Sequence, residues 1–219
     1  DPVVNPTLDM VLGVYWMTKE VKGELGEGNV FLDYESALLA HSFGNLSFRA
    51  RIFIEKPTSS KYAAFEGDRI ETTLGRLMWN NIFPDDFPYM NREITRKDIA
   101  ELVSRVFDLY GPEKTPDILD DIKYFGFHHA TVSGITWGID DVGVPEAKGG
   151  IIIDAKKEAV TIEDQYADGL LSEEERYRMI IEVWQRAKMR IDKEVPNALP
   201  INGPVGDMLH SGARGSINQ

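Results

Sequence analysis

DGLLSEEERYRMIIEVWQRAKMRIDKEVP, residues 168–196, decides the architecture of the second half of the chain. Asp168-Gly169 is a turn. Ser172 with Glu175 three residues on is a capping box, and Glu173, Glu174 and Glu175 fill a first turn where the helix dipole favours negative charge. Tyr177, Ile181, Trp184, Ile191 and Val195 then recur at helical spacing, and Pro196 predicts a stop. Just upstream, Ile152, Ala155, Ala159, Ile162 and Tyr166 lay a second stripe. Two helices with one apolar stripe each can seal those stripes together. The pattern therefore predicts a protruding antiparallel hairpin over 146–195. Twelve acidic and nine basic residues lie between Glu146 and Val195. That mixture argues against a nucleic-acid grip and suits a protein-docking arm, with a plain strut as the equal alternative.

Outward from the hairpin, local signals stay strong as far as residue 95. In TRKDIAELVSRVFDLYGP (95–112), Thr95 and Asp98 predict a capped start, Ile99, Leu102, Val103, Val106 and Tyr110 one face, and Gly111-Pro112 a stop. In KTPDILDDIKYFGF (114–127), Thr115 predicts a cap with Pro116 at the first helical position, and Gly126 an end. From 127 to 145 helical periodicity is lost, and Ile135, Trp137 and Ile139 alternate as in a short strand. NLSFRARIFIE (45–55) alternates most clearly and predicts a strand with Arg49 and Arg51 on its polar face. Residues 34–43 and 72–83 read as short helices, and 69–70 as a further strand. In LDMVLGVYWMT (8–18), Asp9 is a candidate helix cap. The tail, 197–219, reads as loop. Around Arg214 in SGARGS (211–216) it offers backbone N–H groups and one cation to a phosphate oxygen. The fold class is α+β, a mixed body of helices and short strands carrying the hairpin.

Composition narrows the chemistry. The chain has 219 residues, 42% of them hydrophobic and 27% charged, too apolar for disorder. It has no cysteine, which excludes disulfides, cysteine nucleophiles and thiolate metal sites within the chain. A formal net charge of −12 works against direct DNA binding. No apolar run reaches the length of a membrane span. There is no phosphate-loop, dinucleotide or zinc-protease motif, and His128-His129 has no third ligand at metal-site spacing. Asp140-Asp141 reads as a turn or cap rather than a magnesium site. From the residues alone no catalytic residue is assigned. The chain opens at Asp1 in the middle of a pattern, as an excised or cleaved piece would.

Five segments in order carry a resemblance to a known family: DMVLGVYWMT (9–18), ETTLGRLMWNNIFP (71–84), YFGFHHATVSGITWGIDDVGVPEAK (124–148), the hairpin with DGLLSEEERYRMIIEVW, and SGARGS. Together they resemble the β′ subunit of bacterial DNA-directed RNA polymerase, over almost the whole chain. The resemblance implies an internal fragment around the secondary channel. Residues 1–144 would be a pore domain. Residues 145–219 would be a funnel region, with rim-helix hairpin 146–195 and the SGARGS loop. It implies a cytoplasmic chain that is inactive alone, within a nucleotidyltransferase whose Mg2+ is bound outside this segment. Implied partners are the other polymerase subunits, Gre-type transcript-cleavage factors or related channel regulators, and nucleoside triphosphates. Arg214, Ser211 and Ser216 would lie near the triphosphate, in a loop that has lost its ordering neighbours. Asp168, Glu173, Glu174, Glu175, Arg176 and Arg178 would carry regulator docking. A natural split subunit and an unrelated helical-hairpin adaptor are the alternatives.

Overall fold

The computed structural model describes residues 5–200 and 202–215. The fold is mixed α+β and mostly helical. In chain order the elements are α1 (Asp9–Thr18), β1 (Val30–Phe31), α2 (Tyr34–Ser42), β2 (Arg51–Glu55), β3 (Arg69–Thr73), α3 (Leu74–Asn80), α4 (Arg96–Ser133), α5 (Lys148–Ala167), α6 (Glu173–Ala198) and α7 (Pro204–Ser211). The chain divides into two compact units. One holds the residues up to Thr136 together with Asp207–Gly215, and the other spans Trp137–Gly206.

The first unit is organised by the contact of α1 with α4. Gly13 and Gly126 make that contact possible. A Cβ on Gly13 would stand 1.9 Å from the Gly126 carbonyl oxygen, and one on Gly126 would stand 2.5 Å from that of Met10. The expectation that Gly126 ends a helix is therefore corrected. It lies inside α4, where its missing side chain lets two backbones touch, and Gly134 (φ 59°) closes the helix instead. Val11, Leu12 and Val14 of α1 meet Ile99, Leu102, Val103, Val106, Ile118 and Ile122 of α4, with Trp79, Phe83 and Phe87 completing the core. Asp9 does not cap α1. Leu8, at φ 54°, occupies the cap position without a side-chain bond.

Thr95 and Asp98 form the expected capping box, and the kink falls at Gly111 (φ 71°). The helix resumes at once, so Thr115 is not a cap. Its hydroxyl donates back to the Gly111 carbonyl, four residues earlier, at 2.6 Å. β2 pairs in parallel with β1 and antiparallel with β3, with Ile54 opposite Ile70. Ile52, Ile54 and Ile70 are buried against Leu74, Leu77 and Ala37. The strand expected over 45–55 begins only at Arg51, because the backbone before it is engaged elsewhere. The Ser47 amide donates to the Leu25 carbonyl, and the carbonyls of Phe48 and Arg49 accept from Gly75 and Val21. Arg49 pairs with Glu24 at 2.7 Å and lies over the Trp16 ring, while Arg51 pairs with Glu27.

The second unit contains the α5–α6 hairpin. Its seam is Ile151, Ala155 and Ile162 against Val183 and Ala187, with Leu171, Met179, Ile180 and Ile191 alongside. The expected stripe of Tyr177, Ile181 and Trp184 is corrected, since all three side chains are exposed. The face of α6 turned inward carries Val183 and Ala187, which meet Ala155 in the seam. Pro196 does not stop α6, which continues to Ala198. A proline in the last turn leaves one carbonyl without its backbone donor, and the helix ends two residues on. The strand expected at 135–139 is absent. Ile139–Asp141 is a 3-10 turn, closed by the Gly138 amide donating to Asp141 at 2.7 Å. The tail is not all loop, for it contains α7.

Candidate functional site

Two surface features gather the expected site residues. The first is the turn of the hairpin. Asp168 ends α5, with its amide donating to the Asp164 carbonyl, and Gly169 (φ 75°) makes the turn. The Ser172 hydroxyl caps α6 by accepting from the Glu175 amide, and the Ser172 amide, then its hydroxyl, donates to the Glu175 carboxylate and holds that carboxyl below its usual range. Arg176 is spent locally as well, since it donates twice to Glu163, at 2.9 and 3.2 Å, and lies over the Tyr166 ring. Glu175 and Arg176 thus brace the turn. Asp168, Glu173, Glu174 and Arg178 are exposed around it. Arg178 stands 3.9 Å from Glu182, a loose pair that a partner could displace. Sequence reasoning missed Tyr177, Ile181 and Trp184 as surface residues. They extend the charged turn into an apolar strip along α6.

The second feature is the loop after α7. Ser211 is fully buried. Its hydroxyl donates to the Met208 carbonyl and accepts from the Ala213 amide, each at 3.1 Å. The Gly212 amide donates to the Leu209 carbonyl and the Arg214 amide to that of Met208. The amides of Gly212, Ala213 and Arg214 close the helix and are not offered to a ligand, which narrows the expected cradle of backbone N–H groups. Ala213 is packed into the core, while Arg214 and Gly215 are exposed. What the loop presents is the half-exposed Arg214 guanidinium, which donates to Asp9 at 3.1 Å. Ser216 lies outside the described residues.

Two of the histidines, His41 and His129, pack against aromatic rings, while His128 and His210 are exposed. His41 lies 3.8 Å from the Phe48 ring, with Nδ1 2.7 Å from the Leu46 carbonyl oxygen. His129 is buried between Phe125 and Phe48, with no hydrogen-bond partner at Nδ1. Burial, and secondarily His128, pushes its pKa down to about 4. A groove of about 370 Å³ runs beside the first turns of α4. Within it Arg92 pairs with Asp98, Arg105 lies over the Phe87 ring, and Glu101 also lines the wall. Among the described residues no group of three or more His, Asp or Glu is placed to hold a metal ion. No helix among them is long and apolar enough to cross a membrane.

Comparison with known proteins agrees with the family-level resemblance. Residues 1–142 match the family model described as RNA polymerase Rpb1, domain 3. Over its full length the chain is 39% identical to the DNA-directed RNA polymerase subunit β′ of Desulforudis audaxviator. It is likewise 39% identical to that of Moorella thermoacetica and 35% identical to that of Caldicellulosiruptor saccharolyticus. The chain spans about a fifth of the length of these relatives, 18% of the first two and 20% of the third.

Proposed function

From the premise that this chain belongs to the RNA polymerase Rpb1 domain 3 family, we propose that it serves within a bacterial β′-type subunit as a wall of the secondary channel and a docking site for channel regulators. In this reading residues 1–144 form the pore domain. Residues 145–219 form the funnel region, with the α5–α6 hairpin as rim helices. The part is structural and regulatory. Nucleotidyl transfer and its Mg2+ belong to other segments of the polymerase, and the chain works in the cytoplasm with the remaining subunits.

The observation that carries the proposal is the hairpin turn, which braces itself with Glu175 and Arg176 and leaves Asp168, Glu173, Glu174 and Arg178 exposed. A coiled-coil factor of the Gre type, entering the channel, would meet those charges as rim pairs worth about 0.2–1 kcal/mol each. Tyr177 and Trp184 would add apolar area beside them. Glu174→Ala with Arg178→Ala in the assembled polymerase should weaken factor binding by about two- to tenfold. Unchanged affinity would remove these residues from the docking surface.

Arg214 is the second element of the proposal. A guanidinium remains charged at any working pH, so it can orient phosphate oxygens but not move protons. Its role would be to hold an incoming nucleoside triphosphate electrostatically. Arg214→Ala in the assembled enzyme should raise the apparent KM for nucleotides. A KM equal to that of the unaltered enzyme would refute the assignment.

A further inference from the structure

Residues Asp207–Gly215 run antiparallel along α1 and are tied to both of its ends. At one end Lys19, the residue after α1, donates to Asp207 at 2.6 Å, and both side chains are about 95% buried. At the other end Arg214 donates to Asp9, the first residue of α1, and both side chains are about half exposed. The two ties are one α1 length apart, about 15 Å. Between them Ala213 enters the core that contains Val11, Leu12 and Val14. A Cβ on Gly212 would stand 3.3 Å from the Arg96 Cβ. Ser211 and the amides of Gly212, Ala213 and Arg214 are consumed by the helix cap. One end of this strap is therefore fixed, and the guanidinium at the other end is the group free to exchange its partner.

The two ion pairs differ in kind. A buried pair is costly to break, because separation leaves a charge in a medium that cannot solvate it. An exposed pair exchanges readily, because water solvates both partners. A polyphosphate carries several charges and can displace a single carboxylate from a guanidinium. The carboxylate meanwhile lowers the positive potential that the polyanion would otherwise meet.

We infer that Asp9 is the resting counter-ion of Arg214, a positioning residue that sets how readily the guanidinium is yielded to an incoming triphosphate, while Lys19–Asp207 keeps the strap in place. The inference rests on the proposed role of Arg214 and adds to it a residue about 200 positions away in sequence.

The test uses assembled polymerase carrying β′ variants, with initial rates measured against nucleoside triphosphate concentration. Asp9→Asn should lower the apparent KM by about two- to fivefold with kcat unchanged, and the difference should shrink as salt is raised. Asp9→Glu should restore the original KM. In an Arg214→Ala background, Asp9→Asn should change nothing. An unchanged or raised KM in Asp9→Asn, with Arg214→Ala still raising it, overturns the inference and leaves the role of Arg214 standing. An equal fall of KM in both backgrounds also overturns it, since Asp9 would then act on the phosphate directly. If Arg214→Ala leaves KM unaltered, the underlying proposal fails first.

Discussion

His129 shows what burial does to one ionisable side chain. It sits among Phe48, Phe125 and His128 with Nδ1 unpartnered, and its pKa is pushed down to about 4. Below the ordinary histidine value near 6.5 the unfolded chain takes up a proton that the folded chain refuses. Stability therefore falls as pH drops from about 6.5 to about 4, by at most about 3 kcal/mol from this group, and His129 has no further effect below that window. Urea unfolding across this pH range should show the slope, and His129→Phe should flatten it. A slope unchanged in His129→Phe would assign the effect to other groups. Gly13 makes the complementary point about space. Gly13→Ala places a Cβ where the Gly126 carbonyl already is, so α1 and α4 must separate. A loss of at least about 1–3 kcal/mol is expected by chemical denaturation. The glycine itself was plain in the sequence. Its reason was not, because the partner backbone is more than a hundred residues away.

At the scale of elements, signals written within four or five residues were legible and those that depend on a distant partner were not. Thr95 with Asp98, Ser172 with Glu175 and the Gly111 break can be read locally, because a cap or a left-handed residue is a property of the immediate chain. The alternation of Ile135, Trp137 and Ile139 matches a strand, yet no neighbouring strand receives it. Helical character instead runs through Gly126, which needed α1 to explain it. On α6 the wider, more hydrophobic stripe was Tyr177, Ile181 and Trp184, but the seam uses the smaller Val183 and Ala187. Stability measurements separate the two assignments. Val183→Ala removes two buried methyl groups and should destabilise the hairpin by about 2 kcal/mol. Tyr177→Ala, at a surface position, should stay within about 0.5 kcal/mol of the original protein. A larger loss from Tyr177→Ala than from Val183→Ala would return the seam to the other face. The candidate site divides in the same way. Arg214 and the charged turn were visible as residues, whereas Asp9 as the partner of Arg214 required the folded chain.

At the scale of the whole molecule, the distribution of buried side chains predicts where the structure opens first. Among the described residues the first unit holds two apolar clusters, of fourteen and nine buried residues, built from helices and a sheet that reach across the sequence. Among the same residues the hairpin unit has a cluster of five, and two of those are alanines. Each helix of the hairpin is covered on one side only, and most of its charged pairs, such as Arg186 with Glu158 and Lys188 with Asp192, are at the surface and contribute little. Local opening follows the density of buried apolar contact, so the two units should not share one opening free energy. Native-state hydrogen exchange should find α1 and the first half of α4 protected close to the global limit. Amides of α5 and α6 should exchange through a cheaper opening. Trp79 is fully buried and Trp184 substantially exposed, so fluorescence of single-tryptophan variants can follow the two units separately through a denaturant series. Coincident transitions, together with equal protection in α4 and α6, would mean that the hairpin shares the cooperativity of the first unit. Separate transitions would mean that the hairpin opens without loosening the unit that holds Arg214 in place.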